Sequence, residues 1–158
     1  MDERYSYKKP GHAALRNGRV SICRSAYLIT TTTQNRTPLF THFPAASSAA
    51  RCFEDATLLR ESRMLAWVLM PDHAHWLLQL GETDSLGDVI GRLKSASSRH
   101  TNRTLNRTGS LWSKAFYDHA LREEEDLQAV ARYIVANPLR AGLVKRIGDY
   151  PFWNAIWL

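Results

Sequence analysis

The chain has 158 residues, of which 44% are hydrophobic and 23% are charged, a balance typical of one globular domain with its own core. Its two cysteines, Cys23 and Cys52, have no metal-ligand spacing and exclude a disulfide scaffold, so a reducing cytosol is expected. No secretory leader is predicted, and Asp72 with two histidines interrupts the longest apolar run, which excludes a membrane-spanning helix. The net charge of +6 favours a polyanionic partner.

The first half of the chain is predicted to contain three strands and a helix. Residues 1–22 are polar and aperiodic, and we predict that they form a basic N-terminal arm. The β-branched run Ala26–Thr33 predicts the first strand, and Pro44 begins a helix with an alanine-rich apolar stripe. Met64–Met70 is apolar on both faces, as expected of a central strand, and Pro71–Asp72 separates it from a third strand ending at Leu80.

That third strand carries the most informative feature of the chain, the pair His73 and His75. Alternate residues of a strand project to the same face, so the two imidazoles lie together, about 6–7 Å apart at the backbone. The opposite face is apolar and belongs to the core: Ala74, Trp76, Leu78 and Leu80. Two neutral imidazoles at this spacing can share one divalent cation, although two ordinary half-buried histidines have the same pattern.

The second half begins with a helix capped by Ser85, whose predicted buried stripe is Leu86, Val89, Ile90 and Leu93. We predict a polar loop over Thr101–Ser110, a strand over Leu111–Leu121 and a helix over Glu123–Asn137 that Pro138 stops. The order β-α-β-β-α-β, followed by an extra helix, predicts an α+β fold with an antiparallel sheet. The predicted boundaries are an arm over 1–22, a domain over 23–147 and an aromatic tail over 148–158.

Basic residues are concentrated in two parts of the sequence. No acidic residue occurs from Ile90 to Tyr117. Because clustered cations bind phosphates, we predict a DNA-binding surface, although a solvated basic face would have the same composition. The predicted DNA-binding residues are Arg19, Arg24, Arg92, Lys94, Arg99, Arg103, Arg107, Lys114 and Arg140.

The last predicted helix places Tyr133 and Asn137 on one face, because they are four residues apart. Each residue also has a plain interpretation, as a core-edge aromatic and as a residue at a helix end. Together with the histidine pair, however, the block from Tyr133 to Gly142 (YIVANPLRAG) resembles the REP-associated tyrosine transposases, which are bacterial single-tyrosine HUH enzymes. The resemblance covers roughly Gly18 to Val144.

This resemblance implies a ferredoxin-like HUH nuclease fold with a C-terminal tyrosine-bearing helix. It implies that Tyr133 is the nucleophile of a DNA transposase, which cuts single-stranded or hairpin DNA through a covalent 5′-phosphotyrosine. It further implies that His73 and His75 bind Mg²⁺ or Mn²⁺ and that Asn137 takes the position of a third ligand. Val135 departs from the family pattern, where a histidine is common. No organic cofactor or membrane is expected, the protein would be cytoplasmic and nucleoid-associated, and either a monomer or a homodimer is compatible.

Other functions agree with part of the pattern. A histidine-triad hydrolase would need a third histidine where Leu77 stands. A metal-free nucleic-acid-binding module would use exposed aromatic side chains of the sheet, and the histidines and Tyr133 would be incidental. A third alternative is a non-catalytic family member that binds nucleic-acid hairpins but no longer cleaves them. Asp72 is interpreted as a turn residue, and His119 either supports the site or has a structural role only.

Overall fold

The computed structural model of the protein describes residues 24–122 and 126–158. These ranges contain five strands: β1 (Ala26–Thr32), β2 (Arg63–Met70), β3 (His73–Gln79), β4 (Tyr117–Ala120) and β5 (Trp153–Ala155). They also contain five α-helices: α1 (Phe43–Ala50), α2 (Ala56–Leu59), α3 (Leu86–Leu105), α4 (Leu127–Val135) and α5 (Asn137–Arg140). The predicted arm, with Arg19, lies outside the described residues.

The strands form one antiparallel sheet in the order β4-β1-β3-β2-β5. The histidine strand β3 is therefore central, as predicted, and Pro71–Asp72 is the two-residue turn of the β2–β3 hairpin. Apolar side chains on both faces of β2 and β3 make this position favourable, because it removes both faces from water. The predicted α+β arrangement with an antiparallel sheet is confirmed.

Different helices cover the two faces of the sheet. Trp76 and Leu78 of β3 lie in a core formed with α1 and α3. Leu77, which points the other way, lies in a second core formed with α4. Because side chains alternate along a strand, His73 and His75 share the α4 face with Leu77. The sheet thus separates α3 from the histidine pair.

The second half of the domain corrects two predicted boundaries. Helix α3 has the predicted Ser85 cap, with the Ser85 hydroxyl accepting from the Asp88 amide at 3.1 Å. It continues to Leu105, so residues 101–105 are helical and not a loop, since Thr101 is buried against the core. The predicted strand over 111–121 is reduced to β4, because residues 111–116 form a segment held to β1 by the Trp112 bridge to Thr33.

The tyrosine-bearing helix is also shorter than predicted. The Asp126 carboxylate accepts from the amides of Gln128 and Ala129 at 2.9 and 3.3 Å and makes α4 begin at Leu127. The predicted start at Glu123 lies outside the described residues. The helix ends at Val135 and a second short helix follows, so the single helix predicted up to Asn137 is wrong at that end.

Residues 148–158 contain β5, which pairs with β2 along the outer edge of the sheet. The Tyr150 hydroxyl donates to the Leu69 carbonyl, and Phe152 is buried in the core beneath α1 and α3. Two aromatic anchors therefore attach this segment to the domain. None of the helices in the described ranges has the length and apolar character needed to cross a membrane.

A buried hydrogen bond between α3 and the 111–116 segment makes a testable prediction about stability. The Trp112 indole donates to the Ser97 hydroxyl at 2.9 Å, and that hydroxyl donates to the Leu93 carbonyl at 2.7 Å. Ser97→Ala leaves the buried indole N–H without its acceptor, which we expect to lower the free energy of unfolding by about 1–3 kcal/mol. Urea unfolding followed by tryptophan fluorescence measures this loss.

The matched control is Ser95→Ala on the exposed side of the same helix, where the hydroxyl accepts from the exposed Arg99 side chain at 2.9 Å. We expect a change within about 0.5 kcal/mol there. Equal losses for the two variants would contradict the assignment of a structural role to the Ser97 bond.

Candidate active site

The two histidine rings lie side by side at the start of β3, next to the β2–β3 turn. Their ring centroids are 5.0 Å apart and their planes are nearly perpendicular, at 84°. The side chain of His73 is 20% exposed, so solvent or a ligand can reach it. The predicted side-by-side placement of the two imidazoles is thus present in the fold.

Each histidine uses its Nδ1 atom for a contact within the protein. His73 Nδ1 lies 2.7 Å from a carboxylate oxygen of Asp72, and His75 Nδ1 lies 2.8 Å from the hydroxyl of Thr30, its partner residue on β1. Such contacts fix the ring orientation and leave Nε2 available as a ligand atom. Asp72 is therefore more than the turn residue that the sequence predicts, because it also orients His73.

Arg36 joins this arrangement from a distant part of the sequence. One of its guanidinium nitrogens lies 3.6 Å from the second carboxylate oxygen of Asp72. Arg36 has a φ of 55°, in the left-handed region that a non-glycine residue rarely adopts. Arg36 and Asp72 are far apart in the sequence, so no local pattern could have placed Arg36 beside the histidines.

His75 is held in its neutral form. Burial of the ring, followed by the positive charges of His73, Arg140 and Arg36, lowers the pKa of His75 from 6.5 to about 3. A metal ligand must be the neutral imidazole, so this environment suits ligation at neutral pH.

The junction between α4 and α5 depends on Pro138. In a continuous helix the Ile134 carbonyl would accept from the amide of residue 138, but proline has no N–H. The side-chain amide of Asn137 takes that place, with Nδ2 donating to the Ile134 carbonyl at 2.9 Å. The Asn137 side chain therefore supports the helix end and keeps its Oδ1 as an oxygen acceptor.

Gly142 ends α5 with a φ of +71°, which glycine adopts without strain. The Gly142 amide donates to the Leu139 carbonyl at 3.0 Å, and the Leu143 amide donates to the Pro138 carbonyl at 2.9 Å. This pair of bonds is a Schellman cap. Asn137, Pro138 and Gly142 together determine where the short helix α5 lies.

The result of this geometry is a contact between Tyr133 and Arg140. The Arg140 guanidinium carbon lies 3.9 Å from the centroid of the Tyr133 ring, and the Tyr133 side chain is 39% exposed. The charge of Arg140 also lowers the pKa of His75, so Arg140 lies within electrostatic range of the histidine pair. The candidate nucleophile and the candidate metal ligands thus lie in one region, on the α4 face of the sheet.

Histidine and acidic side chains supply only part of the ligands that a divalent cation would need at this site. Within residues 24–122 and 126–158, no group of three or more His, Cys, Asp or Glu side chains is arranged to hold a metal ion. His73 and His75 offer two nitrogens, and Asn137, whose Nδ2 binds the Ile134 carbonyl, offers Oδ1 as the expected third ligand atom. A site of this kind needs further oxygens from water or from a substrate phosphate.

The predicted DNA-binding residues are divided between several surfaces. Arg92 and Lys94 of α3 bind protein groups: Arg92 pairs with Asp84 at 2.8 Å, and Lys94 donates to the Ser113 carbonyl at 2.6 Å. The exposed Arg99 and Arg103 belong to the same helix, which the sheet separates from the histidines. These α3 cations therefore do not form one patch with the histidine pair.

Three further predicted cations differ in their surroundings. The exposed Lys114 follows Ser113, whose hydroxyl accepts from Thr32, the β1 partner of His73. Arg107 donates to Asn102 at 2.8 Å, and Arg24 forms an exposed ion pair with Glu82. Of these three, Lys114 is the one whose backbone lies near the histidine end of the sheet.

His119 lies on the edge strand β4 and is exposed. It pairs with Leu28, whereas His75 pairs with Thr30, so His119 belongs to a different row of the sheet. Tyr117 is the β4 residue in the row of Thr30 and His75. Strand β1 therefore lies between His119 and His75, and their partner residues on β1 are two positions apart.

Comparison with known proteins identifies the family. The chain matches the family described as "Transposase IS200 like" over residues 21–137. This match covers most of the chain, and the protein belongs to the family of IS200-like transposases.

Two curated relatives and two solved structures are similar to the chain. A REP-associated tyrosine transposase of Escherichia coli (strain K12) is 32% identical over 87 residues, which are 55% of this chain and 50% of the relative. A putative REP-associated tyrosine transposase of Haemophilus influenzae is 32% identical over 98 residues, 56% of each chain. The chain thus spans about half the length of the curated relatives it matches.

The structure of a REP-associated tyrosine transposase bound to a REP hairpin aligns with a TM-score of 0.65 and 25% identity, covering 86% of this chain and 79% of that one. A putative transposase from Deinococcus radiodurans aligns with a TM-score of 0.51 at 21% identity, over 78% of this chain and 97% of that one, and shares the fold. The resemblance to REP-associated tyrosine transposases is confirmed.

The lowered pKa of His75 predicts how stability depends on pH. The unfolded chain takes up a proton at this histidine below pH 6.5, whereas the folded protein does so only near pH 3. The contribution of neutral His75 to the free energy of unfolding is therefore complete above pH 6.5. It is lost as the pH falls toward 3, by at most about 1.4 kcal/mol per pH unit. Urea unfolding in EDTA, at steps from pH 7.5 to 4.5, measures this slope.

The variant His75→Gln removes the titrating group, so its stability should change less steeply than that of the wild type over this pH interval. The difference between the two curves isolates His75 from the carboxylates that titrate at lower pH. Parallel curves would show that His75 titrates normally in the folded protein.

Proposed function

We propose that the protein is a metal-dependent single-strand DNA endonuclease and strand transferase that acts on hairpin DNA through a covalent 5′-phosphotyrosine. The observation that carries this proposal is the grouping of Tyr133, Arg140 and the histidine pair on one face of the sheet. Membership of the transposase family and the likeness to a REP-hairpin complex support it.

Tyr133 supplies the nucleophile. Its hydroxyl oxygen forms a bond to phosphorus and gives up its proton, while the bond between phosphorus and the 3′ oxygen of the preceding nucleotide breaks. That 3′ oxygen takes up a proton and becomes a free 3′-hydroxyl. The phosphotyrosine keeps the ester energy, so attack by a 3′-hydroxyl rejoins strands without ATP. A tyrosine hydroxyl is a weak nucleophile and needs help for this attack at neutral pH.

His73 and His75 would hold the divalent ion through their Nε2 atoms, with Asn137 offering Oδ1. When bound, Mg²⁺ or Mn²⁺ polarises a phosphate oxygen and stabilises the charge that develops there, and imidazole ligation suits Mn²⁺ better. The protein prepares the ligands in advance: Asp72 and Thr30 orient the two rings, and burial keeps His75 neutral. These contacts limit the rearrangement needed when the ion and the DNA bind.

Hairpin DNA is the substrate that the family relationship favours, since one solved relative is bound to a REP hairpin. On this chain, Lys114 and Arg140 are exposed cations near the site, and Arg36 lies beside Asp72. They are suited to the phosphates nearest the cut. The exposed arginines of α3 lie across the sheet and would contact DNA that continues around the domain.

The nucleophile assignment is tested by Tyr133→Phe, which removes one oxygen and almost no volume. We expect folding and hairpin affinity to remain within about twofold of the wild type, since a phosphate contact and not the phenol oxygen governs affinity. Covalent attachment should vanish. A 3′-labelled hairpin oligonucleotide incubated with the protein and Mn²⁺ should run with the wild-type polypeptide on a denaturing gel.

Tyr117→Phe is the matched control, because Tyr117 lies in the same row of the sheet as His75 but on β4. This variant should form the adduct at the wild-type level. An adduct with Tyr133→Phe would refute the nucleophile assignment. Binding without any adduct or cleavage by the wild type would favour a non-catalytic hairpin-binding protein instead.

The metal assignment is tested by His73→Ala and His75→Ala. Each variant removes one of two nitrogen ligands, so cleavage should fall by at least about 100-fold while hairpin affinity changes little. EDTA should stop cleavage by the wild type, and added Mn²⁺ should restore it. His119→Ala, which alters a histidine of a different row and strand, is the control and should retain cleavage. Full cleavage in EDTA would overturn the metal requirement.

A further inference from the structure

Arg140 differs from Arg36 and Arg92 in the partners of its guanidinium. Arg36 pairs with Asp72, and Arg92 pairs with Asp84 and with the Leu58 carbonyl. For Arg140, in contrast, no carboxylate or carbonyl partner occurs in the part of the chain that the structure describes. Its guanidinium carbon lies 3.9 Å from the centroid of the Tyr133 ring, and this contact uses none of its five N–H donors in a bond to a carboxylate or carbonyl.

The position of Arg140 is fixed by the backbone on both sides of it. Three residues of the YIVANPLRAG block set the path of the chain there: Asn137, Pro138 and Gly142. Asn137 replaces the hydrogen bond that Pro138 cannot donate, and Gly142 closes α5 with a Schellman cap. The break after Val135 and the cap after Arg140 hold the arginine against the tyrosine two turns earlier.

A planar guanidinium with free donors is the side chain best suited to bind a phosphate oxygen pair in a defined orientation. Such a group, in contact with the nucleophile, can fix the relative position of nucleophile and phosphate. Fixing that position is worth far more to the rate of an attack than to the affinity for DNA, because affinity is shared among many phosphate contacts.

We propose that Arg140 aligns the scissile phosphate with Tyr133: its π face orients the phenol ring, and its N–H donors bind a non-bridging oxygen of the phosphate that Tyr133 attacks. This inference rests on the proposed function and adds a specific task for a residue that charge alone would count as one DNA contact among several. The phosphate oxygen gains negative charge during the attack, so the contact strengthens as the reaction proceeds.

The test compares Arg140→Met and Arg140→Lys with the wild type in two measurements. Single-turnover adduct formation is timed with saturating 3′-labelled hairpin and Mn²⁺, and affinity is measured by fluorescence anisotropy in the Tyr133→Phe background. For Arg140→Met we expect the adduct rate to fall about 100-fold and Kd to rise less than about threefold. Arg140→Lys keeps the charge without the planar donors, so its rate should fall about 10-fold.

Arg132→Met is the matched control. Arg132 is an exposed arginine of α4, one residue before Tyr133, and its guanidinium donates to Gln128 over a long distance of 3.5 Å. This variant loses the same charge from the same region, and both its rate and its Kd should stay within about twofold of the wild type. Thermal unfolding of each variant checks that its fold is retained.

A hairpin with a methylphosphonate at the scissile position separates the two parts of the inference. It replaces a non-bridging oxygen with a methyl group and so removes the oxygen that Arg140 would bind. On this substrate the adduct rate of Arg140→Met should therefore be less than about fivefold below that of the wild type. Equal losses on both substrates would overturn the phosphate contact. A wild-type rate in Arg140→Met, or a loss confined to Kd, would overturn the whole inference while leaving the proposed function intact. If the wild type forms no adduct, the proposed function fails and this inference falls with it.

Discussion

The alternation of side chains along the central strand β3 is the constraint on which the rest of the molecule depends. Trp76 and Leu78 bury one face of this strand against α1 and α3, and that burial sets the register of the whole sheet. A shift by one residue would move the apolar set out of its core and the histidines into it. The hydrophobic free energy of one face therefore holds His73 and His75 on the other, where α4 and α5 lie.

A second constraint is local to the end of α4. A proline in a helix removes one donor, and this chain supplies the donor again from the neighbouring asparagine side chain. The helix is interrupted but not left with an unsatisfied carbonyl, so the break is a stable feature. It changes the direction of the chain before Arg140, and the guanidinium comes to rest on Tyr133. The Asn137–Pro138 break, which resembles an ordinary helix end in the sequence, thus places Arg140 against Tyr133.

The positive charge of the protein is not one continuous surface. Two cations of the basic helix bind groups of the protein itself: Arg92 binds Leu58 and Asp84, which precede α3, and Lys94 binds Ser113, which follows it. A second group surrounds the histidine end of the sheet and includes Arg36 and Arg140, whose charges reach His75. Net charge predicts attraction to a polyanion, but only the arrangement of the cations determines which of them can contact a phosphate at the site.

The sequence by itself determined the elements whose signals lie within a few residues. These are the histidine strand with its two faces, the Ser85 cap and the buried stripe of α3. Tertiary structure decided the features that depend on residues far apart in the chain: the extension of α3 to Leu105 by burial, the reduction of the predicted strand over 111–121 to β4, and the Arg36–Asp72 contact. Periodicity and capping are local properties of the backbone, whereas the partner of a charge or a ring is chosen by the packing of distant elements.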